Sequence, residues 1–353
     1  MQHKFIPKIV LILLVLVGFF QQDSQAQDIH FSQFYASPLT LNPAMTGLMN
    51  GCYRGAVNYR NQYPTIDDYA YSTIAASFDM PLMRGMFGNS FAGAGIQFFN
   101  DRQGTGALNN LSVLGSVAGH LALDQSGNFL FSVGVQGGWV NKSVNFQALY
   151  FESQLDGNDF NPNISNNEAI EDNQINYFDL RAGAIISARI NKNIGLYGGG
   201  SYFHITEPTE SFLGDETNTL GARLVGHFGA ELRPTDRLSI NPNIIYMTQS
   251  AAQEFVVGAN VGYSFDGGGR NSSGTSLYVG ASYRLSYVPG DAVIALIGAE
   301  FNSLKFGISY DINISELKLA SLGQGGFELS LGYEFDCNPQ GKRGYPPVSC
   351  PRF

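Results

Sequence analysis

After its first 26 residues the sequence has no long uninterrupted apolar run. A membrane-spanning helix needs about 20 consecutive apolar residues, so a helical inner-membrane protein is excluded. Charge is scarce: Asp, Glu, Lys and Arg make up 14% of the 353 residues, too little for the polar coat of a soluble domain. Basic excess is absent too. The formal net charge is −9, and it becomes −10 without Lys4, Lys8 and Asp23 (two positive charges and one negative removed), which argues against a nucleic-acid partner. Catalytic signatures are missing as well. The five histidines are scattered without metal-ligand spacing, and neither a Gly-x-Ser-x-Gly motif nor a phosphate-cradling loop occurs. Asp156, Asn158 and Asp159 do not fit the spacing of a calcium loop and read as a solvated acidic stretch. No catalytic residue, metal or cofactor is expected.

What is present begins with an export signal over residues 1–26. Lys4 and Lys8 precede an apolar stretch from Ile9 to Phe20, and Ser24 and Ala26 put small residues at the −3 and −1 positions of a cleavage site. Residue 27 is Gln, not the Cys to which a lipid would attach. Beyond it the chain is rich in glycine and aromatics, with 42 Gly, 18 Tyr and 26 Phe. That composition suits a wall with one apolar and one polar face.

Period-two alternation supplies the wall. Phe255, Val257, Ala259, Val261, Tyr263 and Phe265 share one face, while Glu254, Gly258, Asn260, Gly262 and Ser264 share the other. The stretches 220–233, 304–313 and 327–335 repeat the pattern. About fourteen such segments follow one another, at 52–60, 69–79, 91–100, 108–123, 128–141, 174–190, 193–203, 219–234, 237–247, 253–265, 275–286, 291–301, 303–313 and 326–335. Two of them, 193–203 and 291–301, alternate poorly. Connections alternate in length as a membrane barrel requires: 124–127, 191–192, 235–236 and residue 302 are tight, whereas 142–173, 204–218 and 314–325 are long. The connections 80–90 and 266–274 break the rule, being long where a short periplasmic turn belongs. A soluble sandwich would also alternate, but its solvent face would carry many Lys and Glu; here those positions hold Gly, Ser and Asn. The expected fold is all-β: a transmembrane antiparallel barrel over 52–336 whose apolar faces meet outer-membrane lipid. It is preceded by a non-strand segment, 27–51, and followed by a short Cys- and Pro-containing periplasmic tail, 337–353.

The inferred lumen face carries Arg54, Arg60, Asp179, Arg181, Arg189, Arg223, His227, Glu231, Arg233, Arg284, Lys305, Asp311, Glu328 and Glu334. Two readings stay open, a mutually paired and hydrated wall or a set of groups that hold a plug or line a pore. A barrel of this size is too wide for its own side chains to fill, so it needs water or a plug. The segment 28–50 is polar-aromatic, contains Pro38 and Pro43 and does not alternate. It is either that plug or a linker leading to the first strand.

Three cysteines, Cys52, Cys337 and Cys350, enter an oxidising compartment. The favoured pair is Cys337 with Cys350, and the alternative is Cys52 with either; one thiol is left over. In the long connections Phe146, Tyr150, Phe151, Phe160 and Phe212 are candidate partner-binding aromatics, or equally members of an aromatic girdle.

Three stretches carry a resemblance. The first is 30-HFSQFYASPLTLNPAMTG-47, with Phe31, Phe34, Tyr35, Pro38, Asn42, Pro43 and Gly47. The second is 53-YRGAVNYRNQY-63, with Tyr59, Arg60 and Gln62, and the third is Cys-Pro-Arg-Phe at 350–353. Together they resemble the PorP/SprF family, outer-membrane proteins of the type IX secretion and gliding machinery of Bacteroidota. Cys52 departs from the family's pattern. The resemblance implies a non-catalytic barrel that supports export and surface anchoring of a large adhesin through the adhesin's C-terminal domain. The alternatives it leaves are a scaffold on periplasmic type IX lipoproteins and a solute-conducting channel.

Overall fold

The computed structural model describes residues 28–335, apart from 29, 65–70, 158, 162, 167, 169–171, 266–273, 287–290 and 317. The expected signal at 1–26 and the tail at 337–353 lie outside the described residues.

Fourteen strands close into one barrel. The first seven are β1 (Tyr53–Gln62), β2 (Tyr71–Phe87), β3 (Ser90–Gln103), β4 (Leu108–Ala122), β5 (Phe129–Ser143), β6 (Gln174–Arg189) and β7 (Ile194–Phe203). The second seven are β8 (Arg223–Leu232), β9 (Leu238–Gln249), β10 (Ala252–Ser264), β11 (Thr275–Ser286), β12 (Ala292–Phe301), β13 (Leu304–Asn313) and β14 (Gln324–Phe335). Each strand pairs antiparallel with its sequence neighbour. β1 closes the ring on β14, from Tyr53 opposite Phe335 to Gln62 opposite Gly326. Closure removes both sheet edges, so every strand backbone has partners on two sides, as hydrocarbon surroundings demand.

Alternation sets which side chains meet lipid. On β12, Val293 and Ile297 point out, while Ala292, Ile294 and Leu296 are buried inside. Ile297 is 66% exposed and Val279 on the adjacent β11 is 59% exposed. An apolar belt of this kind around the whole circumference is stable only against lipid. A one-residue slip of register would carry the buried charges of the lumen into the same belt.

β7 and β12, the two poorly alternating segments, are full members of the ring. β12 reads as apolar throughout because its inward Ile294 belongs to a hydrophobic cluster inside the barrel. One expectation is corrected. The stretch 80–90 is not a loop, since β2 continues to Phe87 and pairs with Ser90, leaving only Gly88 and Asn89 as the turn. A register irregularity between Leu82 and Phe87, with Met83 and Gly85 at positive φ, breaks the alternation there and hides the strand. The first eight residues of 266–274 lie outside the described residues. The segment expected as strand from 219 begins at Arg223; Thr219 makes an isolated bridge to Thr209 within the preceding connection.

The long connections 144–173 and 204–222 leave from one end of the barrel. By the rule that barrels carry their longer loops outside, that end is the outer mouth. β1 starts and β14 ends at the opposite rim.

Candidate functional site: an occupied lumen beneath an outer cavity

Residues 30–51 run through the inside of the barrel. Their local form follows from two prolines and an asparagine. Pro38 opens helix α1 (Pro38–Leu41) and Pro43 opens a 3-10 turn (Pro43–Met45); at a first helical position the missing proline N–H has no partner to lose. Asn42 caps the second turn, its Oδ1 accepting from Ala44 N at 2.9 Å. The same side chain then ties the segment to the wall. Its Nδ2 lies 3.1 Å from each of Ala184 O, Gly200 O and His227 Nε2.

The wall makes room for this segment with glycine. A Cβ at Gly183 would lie 2.0 Å from Asn42 Oδ1, one at Gly134 2.4 Å from Pro43 O, and one at Gly93 2.0 Å from Thr46 O. β3, β5 and β6 therefore form a groove into which the backbone of 43–47 and the Asn42 side chain fit at a distance no side chain would permit. Gly47, at φ +73°, faces Gly93 across that contact. Phe34, Leu41, Ala44, Met45 and Leu48 join Phe91, Leu130, Ile185, Phe203, Val225, Ile245, Met247, Val256 and Ile294 in one cluster. Tyr35 packs edge-on against Tyr197, ring centroids 5.4 Å apart.

Charges clasp both ends. Toward the outer mouth, Glu328 accepts from the backbone N–H of Ser32 (2.6 Å) and of Gln33 (2.9 Å). Ser32 Oγ donates to Asp311 at 2.8 Å and accepts from Arg60 (2.8 Å) and Arg284 (3.1 Å). Arg60 also pairs with Asp311 at 3.0 Å and with Glu328. His30 reaches Glu254 at 2.8 Å. At the inner rim, Asp79 accepts from Gly47 N at 2.7 Å and holds Arg54, whose Nη2 donates to Met45 O at 3.0 Å. His120 Nε2 sits 2.9 Å from Thr46 O. Glu334 takes the N–H groups of Asn50 and Gly51, and Arg84 donates to Gly51 O at 3.0 Å. These backbone groups thus find partners on the wall, which hydrocarbon could not supply.

Most residues of the first two motifs meet at these contacts. Phe31, Phe34, Pro38, Asn42, Pro43 and Gly47 are buried in the segment. Arg60 is the wall's side of the outer clasp, steadied by Gln62, whose Oε1 accepts from Arg60 Nε at 3.1 Å. Tyr59 points the other way, its hydroxyl accepting from Asn61 at 3.3 Å. Asp79, Arg84, Asp101 and His120 were not expected on the lumen face. Arg84 lies where the irregularity in β2 obscures the pattern, whereas the parity of β2 (Thr73, Ala75, Asp79 inward) and of β4 (Ser116, Ala118, His120 inward) was a signal that pointed to Asp79 and His120.

Cys52, just after the clasp, is disulfide-bonded. The favoured pair, Cys337 with Cys350, falls outside the described residues, as does the partner of the Cys52 bond. Cys52 immediately precedes β1, and its N–H donates to Phe335 O at 2.8 Å, at the end of the last strand.

The loop aromatics gather in pairs. Phe146 and Phe212, from the two long connections, meet edge-on at 5.8 Å, and Tyr150 stacks on Phe160 at 5.2 Å. Tyr150 and Phe160 are exposed, whereas Phe146, Phe151 and Phe212 are half-buried. Beneath the outer mouth lies a cavity of about 130 Å³, bordered by Asp28 of the N-terminal segment and by side chains of β3 to β6.

A closed, lipid-belted ring with its lumen occupied by its own N-terminal segment defines a plugged outer-membrane β-barrel. The chain belongs to the family described as type IX secretion system membrane protein PorP/SprF, which it matches over residues 23–333. No curated protein sequence matches it. Among solved structures it is similar to the CymD monoaromatic hydrocarbon channel (10% identity, 85% of this chain and 93% of that one, TM-score 0.46). It is also similar to the Ralstonia pickettii toluene transporter TbuX (10% identity, 84% and 93%, TM-score 0.45) and to a Pseudomonas aeruginosa FadL homologue (11%, 86% and 96%, TM-score 0.44). These likenesses are too distant to carry an argument.

Proposed function

We propose that this barrel is a non-catalytic anchor of the type IX machinery. In this reading it supports export of a large adhesin-type substrate and holds it at the surface through the substrate's C-terminal domain, with residues 1–26 removed as an export signal. The observation that carries the reading is the occupied lumen. A segment clasped at both ends and seated on glycine fills the space a solute would need, so the barrel's working surface is its outer mouth. There the pairs Phe146–Phe212 and Tyr150–Phe160 offer rigid apolar anchors at small entropic cost, the kind of feature that dominates protein interfaces. Scaffolding of periplasmic lipoproteins is the second reading, favoured by the clasp at the inner rim, where Glu334 and Arg84 hold Asn50 and Gly51 just ahead of β1.

Affinity purification from gently solubilised outer membranes, with partners identified by mass spectrometry, tests the proposal. Recovery of a large surface protein, lost when Phe146 and Tyr150 are changed to Ala, is the expected result. Recovery of periplasmic lipoproteins alone selects the scaffold. A barrel that emerges without partners and conducts in planar bilayers overturns both.

A further inference from the structure

The cavity under the outer mouth holds two buried polar atoms without a hydrogen-bond partner beside a buried carboxylate. Asp101 on β3 lies directly opposite Asn110 on β4, and Ser112 follows two positions along on the same inward face. All three side chains border the cavity. Asn110 Oδ1 and Ser112 Oγ are buried without a hydrogen-bond partner. Asp101, 2% exposed, accepts among the described residues from the neutral groups Thr73 Oγ1 (2.8 Å) and Gln103 Nε2 (2.5 Å).

The other carboxylates around the cavity are already matched. Asp179 pairs with Arg181 at 2.8 Å, Glu210 with Lys142, and Asp28 with His204, with Arg223 3.9 Å away. Among the described residues Asp101 alone of the four makes no ion pair; Lys142, opposite Asn110 on β5, is engaged by Glu210. A buried carboxylate in that position is costly unless a cation reaches it, and orphan acceptors beside it call for the N–H groups of the same cation. The apolar side chains of Phe99, Leu108, Val140 and Leu220 line the rest of the space.

We propose that Asp101, Asn110 and Ser112 form a binding site for a primary ammonium group. Its three N–H donors match three neighbouring acceptors, and a short aliphatic stem fits the apolar lining. Two sources carry this chemistry. One is a small amine entering from the outer mouth. The other is the chain's own α-amino group: Asp28 borders the same cavity, and removal of residues 1–26 would place that group on the preceding residue. The second source rests on the cleavage proposed above; the first does not.

The test uses the full-length barrel expressed with its signal and purified in detergent, with folding verified by heat-modifiable migration. n-Butylamine is titrated calorimetrically beside n-butanol, its uncharged counterpart, and the α-amino group is probed with an amine-reactive ester read by mass spectrometry. Saturable binding of the amine but not the alcohol, weakened at least about tenfold in Asp101→Asn, assigns an external ligand. An α-amino group that resists labelling in the wild type and is labelled in Asp101→Asn assigns the chain's own terminus. No amine binding together with unrestricted labelling of the wild type overturns the proposal. Ser112→Ala removes a single hydroxyl and keeps the carboxylate, so it serves if Asp101→Asn does not fold. It is expected to weaken whichever signal is found by about threefold, and an unchanged signal removes Ser112 from the site and with it the three-acceptor set.

Discussion

The two sides of the lumen hold the same segment by different physics. On the wall made by β3, β5 and β6, the backbone of 43–47 lies against Gly93 and Gly134 and the Asn42 side chain against Gly183, and what matters is space. On the wall made by β1, β11, β13 and β14, Arg60, Arg284, Asp311 and Glu328 grip residues 32 and 33, and what matters is charge. The steric seat places the segment, since close-packed backbone tolerates few alternatives. The charged clasp fixes its end, because buried ions accept little but their partners. A segment held only by charge would slide, and one held only by fit would fray at the mouth.

Substitutions on each side separate the two mechanisms. The largest effect is expected for Arg60→Met. It leaves Asp311 with one guanidinium and Glu328 without its own, and removing one partner of a buried pair costs about 3–5 kcal/mol. A lowered denaturant midpoint and faster amide exchange at residues 30–33 should follow; an unchanged midpoint would mean that the clasp contributes no net stability. Gly183→Val comes next. Its Cβ would fall on Asn42 Oδ1, and overpacking costs about 1–3 kcal/mol, so the expected outcome is release of the segment with single-channel conductance above the wild type in planar bilayers. A closed, wild-type-like barrel would show that the groove is not the seat. Asn42→Ala loses a cap and three wall contacts while creating no clash. It should cost about 1–2 kcal/mol and raise protease sensitivity near Thr40 without opening the lumen.

The smallest effect concerns the outer loop. Asp215 is held below the ordinary carboxylate range by the Thr217 hydroxyl and backbone N–H. A depressed folded value means that the stabilisation is present above the unfolded pKa of about 3.9 and is lost as pH falls through the lower folded value. Because the group is solvent-exposed, Asp215→Asn should remove that local pH dependence from the exchange of the Thr217 amide and leave the unfolding midpoint unchanged.

Strand positions were legible because lipid and lumen impose opposite chemistry on alternate residues, so Phe255 to Phe265 could be assigned a face without coordinates. The same logic failed where it should. Between Leu82 and Phe87 the extra residues break the period and conceal a continuous strand. At β12 an inward Ile294 mimics the outward pattern because it meets another apolar segment rather than water. The inward glycines were visible as letters, but a glycine on a strand says only that something approaches, not what.

The sequence alone determined the wall: alternation against two solvents specifies strand, face and register, and the scarcity of charge makes the outer face a lipid face. Tertiary structure decided what fills it. Residues 30–51 have no period of their own and no apolar stripe that names a partner. Their path became defined only when β3, β5 and β6 set three glycines into one groove and closure brought Arg60, Arg284, Asp311 and Glu328, far apart in the chain, within reach of one serine. Strand pattern is a local property of neighbouring residues, whereas the shape of an enclosed space belongs to all the strands at once.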